Sequence, residues 1–240
     1  MPVSKHASQR KGQQTRAAIV NAAVEQASRA GLEGLTIGAL AEQMQMSKSG
    51  VFAHFGSRED LQIAVLKAYE ARFIDEILKP SLRRPRGLPR LLAIINHWLE
   101  RTVIEAALGC IWISGASEYD DRPGAVRDEL VSMVKGWQQE ISRAIEQSIR
   151  EGHLRRDTDI SDLVFGLYGV ILVLHHDSRL MRSVEALPRA RRAIGKLLQQ
   201  FATAQAPDFA AALAGEAAAS PFTADPILTL NPIPSFDRSK

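Results

Sequence analysis

Apolar residues in this chain recur at intervals of three and four, and no run of period two suggests a sheet. The pattern therefore predicts an all-α fold. A narrow stripe of small residues, Ile19, Ala22, Ala23, Ala27 and Ala30, predicts a first helix from about Arg16 to Ala30, ended by Gly31. Ile37, Leu40, Ala41 and Met44 mark one face of a short second helix, with Thr36 placed as its N-cap. Ser47 is placed to cap a third, whose Val51 and Phe55 lie four apart and face inward, leaving Lys48, Ser49 and His54 on other faces. Gly50 costs so short a helix about 1 kcal/mol relative to alanine, which points to a close approach to its backbone by a neighbouring helix or a phosphate. Ser57 then caps a fourth helix with Glu59 and Asp60 in its first turn, where acids favour the dipole. Leu61, Val65, Ala68, Tyr69, Arg72 and Phe73 carry that helix past the small N-terminal unit to an end near Pro80.

Residues 80 to 90, PSLRRPRGLPR, read as a solvated basic loop. Beyond it, Leu88, Leu91, Leu92, Ile95, Leu99, Thr102 and Val103 predict a largely buried helix from Leu88 to Glu105, its face widened by Ile94 and Trp98. An apolar stretch from Cys110 to Tyr119 precedes a turn at Asp120 to Gly124. Helical spacing then holds from Val126 to Ile149, ended by Gly152. Asp159 is placed to cap a segment from Ile160 to about Leu180 that is apolar almost all round, and a last helix runs from about Leu187 to Ala204. The apolar surface of these two helices exceeds what one packing face requires, so they are expected to form a homodimer. The chain thus divides into a basic flexible arm (1–14), a helix-turn-helix domain (15–60), a helical dimerisation bundle (61–204) and an Ala- and Pro-rich tail (205–240) expected to be disordered.

Two short helices with a tight turn between Met44 and Ser47, and small polar or cationic groups on the outer face of the second, read as a helix-turn-helix. Thr15-Arg16, Ile19, Ala22-Ala23, Gly31, Leu35-Thr36-Ile37, Leu40-Ala41, Met46 to Gly50, His54-Phe55 and Ser57 to Leu61, taken together, resemble the N-terminal domain of tetracycline-repressor-type (TetR family) transcriptional regulators. The resemblance covers about residues 13 to 66, with two departures: Phe52 stands where the family usually carries tyrosine, and Arg58 where it usually carries lysine. It implies a two-fold dimer reading a palindromic DNA operator, with a small-molecule effector in each C-terminal domain. Carried over by residue, it makes Thr36 and His54 phosphate contacts and puts Lys48 and Ser49 at the major-groove surface. Gly50 becomes the close-approach position and Arg58 a clamp on the DNA backbone, with Gln45 also placed to reach DNA. Gly152 to Asp159, followed by Gly166 and Gly169, resembles the segment leading into the family's dimer-forming helix.

Composition adds little to this and chemistry subtracts little. The chain of 240 residues is 45% hydrophobic and 24% charged with formal net charge +3, so overall basicity does not indicate a polyanionic partner. Its distribution does, since Lys5, Arg10, Lys11 and Arg16 face no acid between Met1 and Val24. The one cysteine, Cys110, excludes an internal disulfide and suits a reducing cytoplasm. No signal-peptide pattern and no uninterrupted apolar run of about 18 residues is found, so no membrane partner is expected. No phosphate loop, dinucleotide fingerprint, nucleophile elbow or H-E-x-x-H occurs, and no cofactor or metal is expected. His175-His176-Asp177 is the one cluster with ligating chemistry, but adjacent side chains on a helix point about 100° apart.

Two functions remain open from this reading. One is a ligand-responsive DNA-binding regulator; the other is an all-helical enzyme or small-molecule carrier with a vestigial helix-turn-helix. For the first, Trp98, Trp112, Trp137, Phe165 and Tyr168 fall on the bundle helices, and no charge interrupts Gly109 to Ser117. An aromatic core explains any one of them. As a group, and with the resemblance, they predict a pocket for an apolar or aromatic molecule, lined by Trp98, Trp112, Trp137 and Tyr168 and oriented by His97, Tyr119 and His175.

Overall fold

A computed structural model describes residues 3–209 and Leu213, and it is all-α apart from one isolated antiparallel bridge between Leu154 and Ala202. Among the described residues the helices are α1 (Val3–Ala30), α2 (Ile37–Gln43), α3 (Lys48–Phe55), α4 (Arg58–Phe73), α5 (Leu88–Leu108), α6 (Ile111–Tyr119), α7 (Ala125–Arg150), α8 (Ile160–Arg179) and α9 (Ala186–Gln199). Helix α4 does not stop at Phe73. It widens into a π-helical turn, Ile74–Leu78, and closes with Lys79–Ser81. Pro80 accounts for the widening, because an α-helical turn would press its ring on the carbonyl four residues back and waste an acceptor.

The first helix corrects one expectation. It begins at Val3 rather than about Arg16, so the segment read as a flexible arm is a helical extension. Residues 3–14 contain no proline and include the good helix formers Lys5, Ala7, Gln9, Arg10, Lys11, Gln13 and Gln14, so a helix anchored by Ile19, Ala23 and Ala27 propagates outward at little cost. The tail lies mostly outside the described residues. Within them, Phe209 and Leu213 are buried and linked by a hydrogen bond from Leu213 N to Phe209 O, so the chain is still packed past residue 205.

Helix α4 is shared between two parts of one continuous core. Its first half packs on α1, burying Leu61, Val65 and Leu66 beside Ile19, Ala23, Leu35, Leu40, Val51 and Phe55. Its second half packs on α7 and places Tyr69, Phe73 and Ile77 in the bundle, among Ile94, Trp98, Trp112 and Trp137. Helices α5, α7 and α8 pack on one another, and α9 lies on α8. That last contact is close because Gly166 lies under Leu197, whose Cδ2 would stand 2.8 Å from any added Cβ. A second close approach joins the two parts of the chain: Gly109, at φ +110°, rests directly on the carbonyl of Ser28 near the end of α1, where a side chain has no room.

Helix α8 is, by length and composition, able to cross a membrane, with a mean hydropathy of 1.3 over its richest window. The expectation that no segment would qualify rested on uninterrupted runs, which Asp162 and His175 break. Here α8 is a bundle helix. Its Leu163, Val164, Leu167, Ile171 and Leu174 are buried, while Phe165 (82% exposed) and Val173 (59%) face outward.

Phe73 is fully enclosed and touches three tryptophan rings, so Phe73→Ala is expected to cost about 3–5 kcal/mol through lost burial and the cavity left behind. Urea unfolding followed by circular dichroism measures it, and a loss below about 1 kcal/mol would contradict this packing.

Candidate functional site

Local chemistry builds the N-terminal reading head in the expected way. Thr36 Oγ1 accepts from Ala39 N at 3.2 Å, Ser47 Oγ from Gly50 N at 3.0 Å, and Ser57 Oγ from Asp60 N at 2.9 Å, so all three helices that follow α1 begin on a side-chain cap. The turn between α2 and α3 closes with Met46 N donating to Ala41 O at 2.8 Å. It requires Gln45 to stand at φ +53°, a left-handed conformation that costs an ordinary residue about 1–2 kcal/mol. Leu40, Ala41, Val51 and Phe55 face the core, and Arg16 lies over the Phe55 ring at 4.9 Å. What remains outside is one face carrying Thr36, Gln45, Lys48 and Ser49 exposed, with Gly50 and His54 half-buried. Around Gly50 an added Cβ would meet only the capping Ser47 Oγ, at 3.1 Å, and Met46, so no neighbouring helix takes up the close approach.

Phe52 was named in the sequence only for the hydroxyl it lacks. It stands 49% exposed on the same face, beside a shallow hollow of about 430 Å³ formed with Ile37, Lys48, Ser49 and Ala53. An exposed phenyl ring among polar groups there is suited to apolar contact with a thymine methyl. The signal lay in the pattern: position 52 is adjacent to the inward Val51 and so cannot share its face.

Arg58, although exposed, is held by protein groups. Its Nε donates to Leu35 O at 3.0 Å, and a terminal nitrogen donates to Glu33 O at 2.6 Å and lies 3.5 Å from the Glu33 carboxylate. The guanidinium thus ties the start of α4 to the loop between α1 and α2. Around it, the Tyr119 hydroxyl donates to Glu33 Oε1 at 2.5 Å and accepts from Gln62 Nε2 at 2.9 Å, while Gln62 also donates to Leu32 O at 2.8 Å. Arg122 pairs with Glu33 at 3.2 Å, and Glu118 accepts from Glu33 N at 2.8 Å. The Tyr119 hydrogen bond first, helped by Arg58 and Arg122, holds the Glu33 carboxyl below its ordinary value against the opposing effect of burial. Tyr119 itself is pushed up to about 12 by burial and by Glu33. This junction uses Tyr119 structurally, so it is not among the groups around the aromatic core; His97 is not either, since its Nδ1 lies 3.0 Å from Ser81 Oγ.

Four expected aromatics do meet. Phe73 is their centre: Trp112 lies at 4.4 Å, Trp137 at 4.7 Å and Trp98 at 6.4 Å between ring centroids, and Trp98 touches Trp137 at 5.3 Å and Tyr168 at 5.5 Å. His175 is buried two turns after Tyr168 on α8. Burial first, then Arg179, lowers its pKa and keeps the ring neutral. His176 is exposed, with Nδ1 3.3 Å from Asp177, so the two histidines face different ways. Phe165 stands apart from the core, on the outer face of α8.

Against this aromatic cluster lies an ionic one that the sequence reading missed. Arg101 bridges Glu76 and Glu105, with Arg101 Nε donating to Glu105 Oε1 at 2.8 Å, and the buried Tyr69 hydroxyl donates to the same carboxylate oxygen. Cys110 Sγ is 3.4 Å from that hydroxyl, and the Arg101 guanidinium lies over the Tyr69 and Phe73 rings at 5.3 and 5.7 Å. Burial works against the charge on Arg101, yet Glu105 and Tyr69 outweigh it and raise its pKa. Burial pushes the Cys110 thiol up, which keeps it protonated and unreactive. The signal was an acid and a base four apart on a helix otherwise read as buried.

Comparison with known proteins agrees with both halves. Residues 19–65 match the family described as bacterial regulatory proteins, tetR family, and residues 87–194 match the tetracyclin repressor-like C-terminal domain. No curated protein matches the chain. Among solved structures, a TetR transcriptional regulator from Chloroflexus aurantiacus J-10-FL is 21% identical with a TM-score of 0.69, covering 79% of this chain and 95% of its own. A transcriptional regulator from Saccharomonospora viridis in complex with choline is 19% identical, TM-score 0.66, over 78% and 96% of the two chains. The FadR regulator of Bacillus subtilis in complex with stearoyl-CoA is 15% identical, TM-score 0.60, over 75% and 96%. The chain belongs to the TetR family, whose members are ligand-responsive DNA-binding regulators and are generally not enzymes.

Gln45→Gly is expected to raise the stability of the protein by about 0.5–1 kcal/mol, because glycine adopts the left-handed turn without a Cβ clash and keeps part of that gain after its own entropy cost. Thermal unfolding checks this, and a variant less stable than the parent would show that the Gln45 side chain stabilises the turn.

Proposed function

We propose that this chain is a homodimeric repressor that binds a palindromic operator and is released from it by a small apolar or aromatic ligand entering the Phe73 cluster. The observation that carries the proposal is the path of α4: the helix that anchors the reading head through Arg58 and Gln62 also supplies Tyr69, Phe73 and, in its π-helical turn, Glu76 to the aromatic and ionic core. A ligand that parts the Trp98, Trp112 and Trp137 rings must move Phe73, and a helix moves as a body. Release of DNA requires the ligand to favour the non-reading geometry by about 1–3 kcal/mol, and DNA must then weaken ligand binding by the same factor.

In this reading α3 enters the major groove. Lys48, Ser49 and Phe52 reach bases, Thr36 and His54 contact phosphates, Gln45 lies alongside, and Gly50 admits the backbone of the DNA. Dimerisation uses the outer face of α8, where Phe165, Leu172 and Val173 are exposed beside Gly169, whose surroundings are open. Leu180, Met181 and Val184 extend the apolar surface past the end of the helix. Two such heads about 34 Å apart would meet successive major grooves on one side of a duplex. The protein acts in the cytoplasm, where its operator is.

Selection of bound fragments from the native genome identifies the operator, and all further tests use it. Lys48→Ala is expected to weaken binding and reduce the slope of log affinity against log salt by about one. Arg58→Ala, by contrast, is expected to leave that slope unchanged and to lower thermal stability, because its guanidinium is spent on Glu33 and Leu35. A slope reduced by Arg58→Ala would return that residue to the DNA surface. Absence of any salt-dependent operator binding by the parent protein would favour the carrier or enzyme reading instead.

For the dimer, Phe165→Glu and Val173→Glu are expected to give folded monomers in sedimentation, since both side chains point away from the protomer core. Leu167 and Leu198 are unsuited to this test, being buried within the protomer at 1% and 0% exposure. A fully dimeric Phe165→Glu, Val173→Glu double variant would place the interface elsewhere.

A further inference from the structure

Three buried nitrogens in or beside the aromatic core have no hydrogen-bonding partner among the described residues: Trp112 Nε1, Trp137 Nε1 and His175 Nε2. Their side chains belong to residues that are 6%, 4% and 8% exposed. An orphaned buried polar group costs about 1–3 kcal/mol, and native interiors rarely leave one unexplained. The two indole nitrogens belong to rings of one cluster around Phe73, while His175 lies on α8. The indole nitrogens are the more informative pair, because an indole N–H donates and cannot accept. Both rings share Phe73 as a neighbour, at 4.4 and 4.7 Å.

Water is a poor occupant for these donors. A buried water is held by two to four polar partners, roughly three on average, and the rings against these two indoles are those of Phe73, Tyr69 and Trp98. Of the polar groups on them, the Tyr69 hydroxyl is already bound to Glu105 and adjoins Cys110, and the Trp98 indole N–H can only donate. Aromatic faces also attract cations, and a cage of rings can hold a quaternary ammonium. A cation, however, offers no lone pair to an indole N–H, so it would leave both donors unpaired. An anion meets a different obstacle. Glu76 and Glu105 outnumber Arg101, which bridges them, so the nearby ionic cluster carries net negative charge. A carboxylate placed against the rings would be repelled and would lose its hydration.

From these observations, and resting on the ligand-binding reading above, we infer that the effector is an uncharged apolar molecule bearing a carbonyl oxygen, such as a ketone, lactone or quinone, which accepts from the Trp112 and Trp137 indoles while its hydrocarbon part lies against Phe73. A carbonyl oxygen has two lone pairs and can take both donors. The free protein keeps the rings together and leaves the donors unpaired, so part of the binding free energy comes from relieving that penalty.

The test compares two probes of nearly the same shape on the full-length protein: 2-acetylnaphthalene, with a carbonyl, and 2-isopropenylnaphthalene, with a carbon in its place. Calorimetric titration is expected to show the ketone binding at least about tenfold more tightly. The three tryptophan indole N–H signals, assigned with single Trp→Phe variants, provide a readout that does not depend on a mutant folding. Those of Trp112 and Trp137 are expected to move downfield with the ketone and much less with the hydrocarbon. In the Trp112→Phe, Trp137→Phe double variant, shown to be folded by circular dichroism, the tenfold preference is expected to fall to within about twofold whatever affinity both probes lose in common, and a preference still near tenfold would overturn the assignment. Equal affinity of the two probes would overturn the carbonyl assignment while leaving the apolar pocket in place. Tighter binding of phenyltrimethylammonium than of either would replace it with a cation cage. If neither probe binds and no indole signal moves, both this inference and the aromatic pocket on which it rests are wrong, whereas operator binding by the same preparation would still stand.

Discussion

Helix α4 is buried at both ends by different partners, and a helix neither stretches nor bends cheaply. Its N-terminal half is held by α1, by the Arg58 hydrogen bonds and by Gln62; its C-terminal half is held by the tryptophans and by Arg101 through Glu76. Neither set of contacts can be satisfied independently of the other. Any rearrangement of the aromatic core therefore reaches the reading head as a rigid displacement rather than as a diffuse softening. The π-helical turn begins at the residue after Phe73, so the helix is regular between head and cluster and irregular only beyond it. Compliance lies on the far side of the aromatic cluster from the head.

The two polar networks along this helix differ in stiffness for a physical reason. At the head end, the Glu33 carboxylate and its arginine partners are substantially exposed, so each ion pair contributes little and can exchange with water. Arg101 and Glu105, at 11% and 9% side-chain exposure, are removed from water, and breaking their pair would strand a buried charge. The result is a loose grip at the junction and a firm one in the bundle. A regulator needs that asymmetry, since the head must change position while the bundle keeps its shape around a ligand.

Elements governed by local chemistry were legible in the sequence. The caps at Thr36, Ser47, Ser57 and Asp159 depend on a hydroxyl or carboxylate three residues before a backbone N–H, and all four form. The long helices were legible because apolar period survives any tertiary arrangement. The roles of Arg58, Tyr119 and His97 were not, because each is decided by a partner distant in the chain: Leu35 for Arg58, Glu33 for Tyr119 and Ser81 for His97. Phe165 was misplaced for a related reason. On a helix apolar all round, hydrophobicity cannot say which residues face the protomer core, and only the packing of α9 on α8 separates Leu167 from Phe165. The start of α1 was misread because basic residues without an apolar stripe look like an unstructured arm.

At Gly109 the bundle touches α1 main chain to main chain, against the carbonyl of Ser28. Side chains can yield by changing rotamer, but two backbones in contact have no such freedom, so this seam acts as a fixed datum from which the position of the head is set. Trp112 lies three residues from it, at the start of α6, whereas Trp137 lies on α7. Substitutions in the bundle that leave this seam and the course of α4 in place are therefore the ones by which descendants of this protein change what they sense while keeping the spacing with which they read DNA. Sensing and reading become separable traits, and the absence of a single side chain is what separates them.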